Sequence, residues 1–309
     1  MTERILVRQV KERTTALLLL LGILVFGISL SSEMGQYVKD GMILAVTAVI
    51  PTSLPFMVIS DFYVCYGSPE NILLLRRVFC ALFGIGEAGI SPFICGNIGG
   101  FPTGAKMCAE CYERGTLTRE DAERLLPLSI NPSPAFVIGG VGMGLYRDIR
   151  IGFLMLISIY TATLLCGMIT RTKRSILPLN TDNVNNSYDF IASVKSAGAN
   201  SISIVSLISI FSGVLGVLKK RIENTPVLYI VFAFCEVTNA VKFCSVSDGL
   251  SGKIGMILST FALGFGGISA GLQSAVFTAR CGLRMRKYYL IKSIEGILAA
   301  SVFSILYMI

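Results

Sequence analysis

The sequence reads GNIGGFPTGAK from Gly96 to Lys106, so four glycines, a proline and a lysine stand between long apolar runs. The glycine spacing is close to that of a phosphate-binding loop, in which the lysine directly follows the second glycine and is itself followed by Ser or Thr. Here Ala105 separates Gly104 from Lys106, and Met107 follows the lysine. We therefore expect no nucleotide hydrolysis at this segment, and its glycines need another explanation.

The composition is that of an integral membrane protein. The chain has 309 residues, of which 53% are hydrophobic and 15% charged, and its mean hydropathy is +0.71. Soluble domains average about 25% charged residues. The apolar runs are continuous rather than alternating, which argues against a transmembrane β-barrel. The sequence predicts an all-α polytopic protein, surrounded by membrane lipids, with about eight to ten membrane segments, several of them discontinuous.

The net charge of +8 comes from basic residues at the ends of apolar runs. The main groups are Arg4 to Arg13, Arg76 and Arg77, Arg171 to Arg174, Lys219 to Arg221, and Arg284 to Lys287. This pattern is typical of cytoplasmic membrane anchors. Since no basic patch is interleaved with aromatic residues, we expect no nucleic-acid partner. A basic start followed by an apolar run at 15–30 predicts an uncleaved first span with a cytoplasmic N-terminus.

The chain has nine cysteines and no histidine. The absence of histidine excludes Ser-His and Cys-His catalysis and imidazole metal ligands. Cys108 and Cys111 form a single C-x-x-C pair, which is too little for a zinc site and leaves a redox role or a place in the core. We expect no cofactor and no enzymatic activity. Coupling to a proton or another cation would depend on carboxylates.

Two glycine-broken segments divide the chain into similar halves. Gly99-Gly100 and Gly266-Gly267 lie in apolar surroundings, and Pro51 and Pro55 predict a further broken or kinked segment. We predict an N-terminal helix and loop at 1–40, one repeat at 41–170, a polar linker at 171–200 and a second repeat at 201–309. The halves are expected to be inverted and to contain discontinuous helices or re-entrant hairpins, as in transporters; chance likeness of apolar sequences is the alternative.

Broken helices inside a bilayer expose helix ends, and a helix N-terminus attracts anions. Irregular backbone at this depth is tolerated only where protein buries it or where it lines a wet cavity. The segment from Gly99 to Lys106 therefore suits the end of one half-helix and the start of another at a binding site. The alternative is a tight helix crossing that uses small residues.

Polar residues in or beside these segments are the candidate site. Carboxylates at membrane depth are costly and usually paired or functional, so we assign Glu87 and Glu236 to coupling or to orienting a solute and Lys106 to charge balance, while Asp61 could lie at the interface. The candidate substrate-binding residues are Glu87, Asn97, Gly99, Gly100, Thr103, Gly104, Lys106, Asn131, Ser133, Glu236, Asn239, Gly266, Gly267, Ser269 and Gln273. The amide and hydroxyl groups could instead satisfy freed backbone, and Lys106 could snorkel to the surface.

Five segments together resemble the sporulation integral membrane proteins of the YlbJ type. They are PTSLPFMVISDFYVCYG (51–67), GNIGGFPTGAK (96–106), YERGTLTREDAERLL (112–126), NPSPAFVIGGVGMG (131–144) and FGGISAGLQ (265–273). The resemblance implies two nucleoside-recognition (Gate) domains and an architecture similar to that of concentrative nucleoside transporters. It also implies dipicolinate as cargo and the outer forespore membrane as location. The chain departs from the pattern at Ala240, where glycine is expected after Asn239.

We therefore expect a secondary carrier in the bacterial cell membrane that moves a small polar or anionic solute by alternating access around a site near the midplane. The competing interpretation is a non-transporting membrane assembly factor for the spore envelope or cortex, whose broken helices bind a partner's transmembrane segment.

Overall fold

The computed structural model describes residues 31–66, 72–172, 189–222, 226–246 and 252–308. All regular structure in these ranges is helical, which confirms the prediction of an all-α membrane protein. Five helices are long and apolar enough to cross a bilayer: Glu33–Ile59, Ile149–Ile169, Phe190–Arg221, Gly252–Arg280 and Arg286–Leu306. The bent pair Leu73–Phe83 and Glu87–Gly99 raises this to six if it counts as one span. The predicted first span at 15–30 lies outside the described residues.

The described residues of the first half, 31–66 and 72–172, form seven α-helices together with π and 3₁₀ segments. They are α1 (Ser31–Leu44), a π segment (Ala45–Val49), α2 (Ile50–Tyr66), α3 (Leu73–Phe83), a 3₁₀ turn (Glu87–Gly89), α4 (Ile90–Gly99), α5 (Thr103–Glu113), α6 (Arg119–Ser129), a π-helix (Ala135–Leu145) and α7 (Ile149–Ile169). Of the two expectations for Pro51 and Pro55, the break is absent, because α2 continues through both prolines, and the kink stays a prediction. The π segment immediately before Pro51 is a wider turn, which suits a site where one backbone donor is missing.

In the second half, the part of the chain that the structure describes forms six α-helices. They are α8 (Phe190–Arg221), α9 (Pro226–Cys235), α10 (Val237–Val246), α11 (Gly252–Phe265), α12 (Gly267–Arg280) and α13 (Arg286–Leu306). Helix α8 begins at Phe190, so the last part of the predicted linker is helical, while most of the remaining linker lies outside the described residues.

Helices α4 and α5 form a hairpin whose tip is Gly100-Phe101-Pro102. The thiol of Cys111 near the end of α5 lies 3.9 Å from the carbonyl oxygen of Ala88, just before α4, so the two arms run back along each other. Gly100 has φ +78°, a conformation that glycine adopts without strain. We call this element hairpin 1.

Helices α9 and α10 form a second hairpin, hairpin 2, with Glu236 at its tip. The rings of Tyr229 and Phe243 stack with centroids 4.5 Å apart, although they lie seven residues before and seven residues after Glu236. In a continuous helix these residues would lie about 21 Å apart along the axis. The chain therefore reverses direction at Glu236.

Each hairpin is followed by an interrupted span. Residues 130–133 separate α6 from the π-helix, and Gly266 separates α11 from α12, with φ +84° at Gly266 and +74° at Gly267. Each half contains a long helix, a hairpin, an interrupted span and a final long helix in this order, and the first half has α3 as an additional helix before hairpin 1. By element order the hairpin at Gly99-Gly100 corresponds to the hairpin at Glu236, whereas glycine spacing in the sequence pairs Gly99-Gly100 with Gly266-Gly267.

Hairpin 1 packs against α6 without space for side chains at two positions. A methyl group on Gly96 or Gly104 would overlap the carbonyl oxygen of Ser129, the last residue of α6. These two glycines let three backbone segments meet at van der Waals distance, directly beside the interruption at 130–133.

We predict that Gly104→Ala destabilises the protein in detergent by about 1–3 kcal/mol, because the methyl group must displace the Ser129 carbonyl. Helix propensity alone would favour alanine by about 1 kcal/mol. The measurement is the thermal unfolding midpoint. The control is Gly198→Ala in α8, where no atom lies within 4 Å of the added carbon. A midpoint for Gly104→Ala equal to or above that of the unmodified protein would contradict the packing described here.

Candidate functional site

The two hairpin tips and the two interrupted spans meet around one cavity. Its empty volume is about 440 Å³, a figure that includes space open to the outside. The lining residues are Val49, Thr52, Ser53, Gly100, Phe101, Pro132, Ser133, Phe136, Ile204, Ile208, Glu236, Val237, Thr238, Ala270 and Gln273. They come from α2 and the π segment before it, both hairpin tips, the interruption at 130–133, α8 and α12. We call this space the central cavity.

Glycines bring the four interruptions into contact. A Cβ on Gly100 would lie 3.0 Å from the backbone nitrogen of Ser133, so the tip of hairpin 1 touches the interruption at 130–133. A Cβ on Gly267 would lie 3.2 Å from the Cα of Glu236, so the second interruption touches the tip of hairpin 2. Phe101 connects the two halves, because its ring would lie 3.1 Å from a Cβ on Gly266.

Glu236 caps the helix that follows it. One carboxylate oxygen accepts a hydrogen bond from the backbone nitrogen of Thr238 at 3.0 Å, and the other accepts from the backbone nitrogen of Asn239 at 2.7 Å and from its side-chain amide at 2.8 Å. The helix N-terminus stabilises this negative charge. The side-chain amide of Asn239 also donates to Ser212 in α8 at 2.7 Å. The donors that an anionic solute could have used at this helix end are therefore engaged by the chain's own carboxylate.

The central cavity is lined mostly by apolar residues, with a few polar groups and little charge. Thr52, Ser53, Ser133, Thr238 and Gln273 supply hydroxyl and amide groups, and among the described lining residues only Glu236 is charged. Such a lining can bind a solute through hydrogen bonds to hydroxyl, amide or ring-nitrogen groups, and it favours uncharged solutes over dianions.

The structure brings eight of the predicted site residues to the central cavity. Gly100, Ser133, Glu236 and Gln273 line it. Around them, Gly266 and Gly267 form the close contacts described above, Asn239 holds Glu236, and Ser269 accepts a 3.4 Å hydrogen bond from Gln273.

Two further predicted residues lie behind the cavity wall. Asn97 in hairpin 1 donates to the carbonyl oxygens of Phe93 at 2.7 Å and Leu128 at 2.9 Å, and so satisfies backbone groups at the end of α6. Asn131 donates to the side-chain oxygen of Asn97 at 2.9 Å. The sequence analysis offered two roles for these amides, solute binding or hydrogen bonding to unpaired backbone groups, and here the Asn97 amide has the second role.

The remaining predicted residues divide among packing, a distant ion pair and a second cavity. Gly99 packs against Thr103 and Gly104 against Ser129. Glu87 lies at the 3₁₀ turn before α4, where it pairs with Arg76 in α3 at 3.2 Å, and it does not line the central cavity.

Thr103 and Lys106 line the second cavity, which has an empty volume of about 220 Å³. The ammonium group of Lys106 lies 2.5 Å from the Asp61 carboxylate in α2. The hydroxyl of Thr103 is buried and has no hydrogen-bond partner. Asp61 is thus paired within the protein.

Sequence reasoning missed a buried ion pair in α13. Lys292 and Glu295 are both fully buried, with the ammonium nitrogen 3.0 Å from the carboxylate. Lys292 also donates to the side-chain oxygen of Asn131 at 2.7 Å, and Thr163 in α7 donates to Glu295 at 2.8 Å. The available signal was a lysine and a glutamate three residues apart in an otherwise apolar run, a spacing that places both on one helix face.

The comparisons with known proteins agree with this membrane architecture. The sporulation integral membrane protein YlbJ of Bacillus subtilis (strain 168) is 22% identical to the chain over 308 aligned residues, which cover 85% of this chain and 74% of that protein. No protein-family profile and no solved structure matches the chain. The chain is therefore a distant relative of a sporulation integral membrane protein, which supports the YlbJ-type family and a location in the membrane.

Proposed function

We propose that this protein is a secondary carrier that moves a small polar solute through the central cavity by alternating access. The observation that carries the proposal is the convergence of two hairpin tips and two interrupted spans on one cavity, which holds a buried carboxylate and a few hydroxyl and amide groups. Backbone interruptions at membrane depth are stable only against protein or a wet cavity, and paired discontinuous elements around one site are typical of secondary transporters.

The two cavities suggest the route. Ser53 lines the central cavity, whereas Met57 and Asp61, one and two turns further along α2, line the second cavity. Along α8 the same order runs from Ile204 to Asn200 and Ala197. The cavities thus follow one another between α2 and α8, about 12 Å apart measured from Ser53 to Asp61. In our proposal the Asp61–Lys106 pair closes this route in the conformation described here.

The solute we propose is small and rich in hydrogen-bonding groups. Dipicolinate, the cargo implied by the resemblance, carries two carboxylates, and in the central cavity these would meet Glu236. A dianion would therefore need charge balance from protons or from Lys106 released by Asp61. An uncharged nucleoside-like solute needs no such balance, so uptake assays should include both dipicolinate and uridine.

We predict that Ala270→Leu blocks uptake into proteoliposomes. Ala270 lines the central cavity and is 2% exposed, and the larger side chain would occupy the space through which the solute passes. The measurement is uptake of radiolabelled dipicolinate and uridine, together with the thermal unfolding midpoint. The matched control is Ala279→Leu, on the exposed side of the same helix.

Two results would contradict this prediction. Ala270→Leu protein that takes up solute at the unmodified rate would show that the central cavity is not on the route. Unmodified protein that takes up neither probe and copurifies with a fixed membrane partner would favour the assembly-factor function.

We predict that Glu236→Gln lowers uptake by about tenfold to a hundredfold, because one charge-assisted hydrogen bond contributes about 1.5–3 kcal/mol. Glu87→Gln is the matched control, since Glu87 pairs with Arg76 away from the cavity and its loss should leave uptake unchanged. If Glu87→Gln abolished uptake and Glu236→Gln retained it, the proposed role of Glu236 in solute binding would be refuted.

A further inference from the structure

We propose that Lys292 and Glu295 form the proton-coupling site of the carrier, which no part of the proposed function assigns. The proposal rests on that function and extends it by naming the coupling ion and its residues. Both side chains are fully buried within a helix long and apolar enough to span the membrane. Ionisable residues in such positions are costly and mark ion or proton sites more often than structural ones.

The pair is connected to the wall of the central cavity by hydrogen bonds. Lys292 donates to Asn131, and the Asn131 amide donates to Asn97 in hairpin 1 and to Thr163 in α7 at 3.1 Å. Asn131 directly precedes Pro132 and Ser133, which line the cavity. A change in the charge of the pair therefore reaches both hairpin 1 and the interruption at 130–133 through side chains in contact.

The Glu295 carboxylate has one free oxygen. One oxygen accepts hydrogen bonds from both Lys292 and Thr163, whereas the other is buried without a partner. A proton arriving at the free oxygen breaks no existing hydrogen bond. It converts Glu295 to a neutral acid and leaves the Lys292 ammonium without its counter-charge in an apolar interior, which is unfavourable.

That unfavourable charge is relieved when water reaches Lys292. Opening the cavity wall in front of Asn131 and Asn97 would hydrate the ammonium group, so proton binding at Glu295 and opening of the wall favour each other. The coupling between protonation and opening is reciprocal. A lower pH favours the state with the wall open, and closing the wall releases the proton from Glu295. One proton would be bound and released in each cycle, with Lys292 remaining protonated throughout.

Other ionisable groups near the pair are either neutral or engaged elsewhere. The Cys166 thiol on α7 and the Tyr288 hydroxyl on α13 interact electrostatically with the pair, and the hydroxyl of Tyr160 on α7 donates to the backbone of Asn97. On α6, Arg124 binds Asp121, and Glu123 binds Arg119 and the backbone of Arg284. Helix α11 carries one charged residue, Lys253 in its first turn. This leaves Glu295 as the proton acceptor of the cluster.

The test uses a neutral, similarly shaped pair. Lys292→Met and Glu295→Gln singly leave one buried charge unpaired and are expected to lower the unfolding midpoint, whereas the double variant restores it. The double variant is expected to retain exchange of dipicolinate or uridine at equal pH within about twofold and to lose pH-gradient-driven accumulation by about tenfold or more. The matched control is Lys220→Met with Glu33→Gln, which removes a more exposed pair.

Two outcomes of this assay would overturn the proposal: a folded double variant that still accumulates solute with the pH gradient, and a folded double variant that has lost exchange as well. The second outcome would assign the pair to passage itself.

Carbodiimide labelling of the unmodified protein, located by mass spectrometry, decides the case if the double variant does not fold. We expect labelling of Glu295 to rise as the pH falls. If Glu295 stays unlabelled at every pH at which Glu236 is labelled, the proposal fails. Labelling does not depend on transport. If the unmodified protein takes up neither probe, the carrier function is refuted, but the protonation of Glu295 can still be measured by labelling.

Discussion

A helix that ends inside a bilayer leaves backbone groups that lipid cannot satisfy, and the described part of this chain is organised around that constraint. Two of the interruptions are satisfied in different ways. Asn97 in hairpin 1 bonds the carbonyl of Leu128 at the end of α6, so one interrupted element covers another. Glu236 bonds the first backbone donors of α10, the helix that follows it, and so covers its own interruption. The close approach of the interrupted elements thus supplies part of the polar cover, and the central cavity is the space that remains between them.

Close backbone approach is the second requirement, and glycine meets it at the points of contact. Gly96 and Gly104 allow hairpin 1 to touch Ser129, and Gly267 allows α12 to touch the tip of hairpin 2. Behind this wall the network of Asn97, Asn131 and Thr163 ties hairpin 1 to α7 and α13. The side chains that satisfy backbone groups at the interruptions thus also connect the cavity wall to the ion pair in α13. Burial alone therefore does not distinguish a structural residue from a functional one in this network.

The sequence predicted the class of the fold and the places of two broken segments, but not how those segments pair. Long apolar runs predicted membrane-spanning helices, and the described residues contain five such helices, or six with the bent pair, where the sequence predicted about eight to ten segments. Glycine spacing suggested that Gly100 matches Gly267, whereas the chain order pairs two hairpins and two interrupted spans. Partners far apart in sequence, such as Lys292 and Asn131, depend on tertiary packing and have no local signature.

The buried charges show why helix ends alone do not define the solute. The sequence suggested that an exposed helix N-terminus would bind an anion, and in hairpin 2 an anion does occupy that place, but it is the carboxylate of Glu236. Asp61 is balanced by Lys106, and Glu295 by Lys292. Each of these carboxylates has its own compensation, one from backbone donors and two from ammonium groups. Of the three, only Glu236 lines the central cavity, so a solute there meets a negative charge whose compensation is fixed in place. In the proposed carrier, the charge of the transported species would therefore depend on what accompanies the solute, and in our proposal the Lys292–Glu295 pair supplies protons for this purpose.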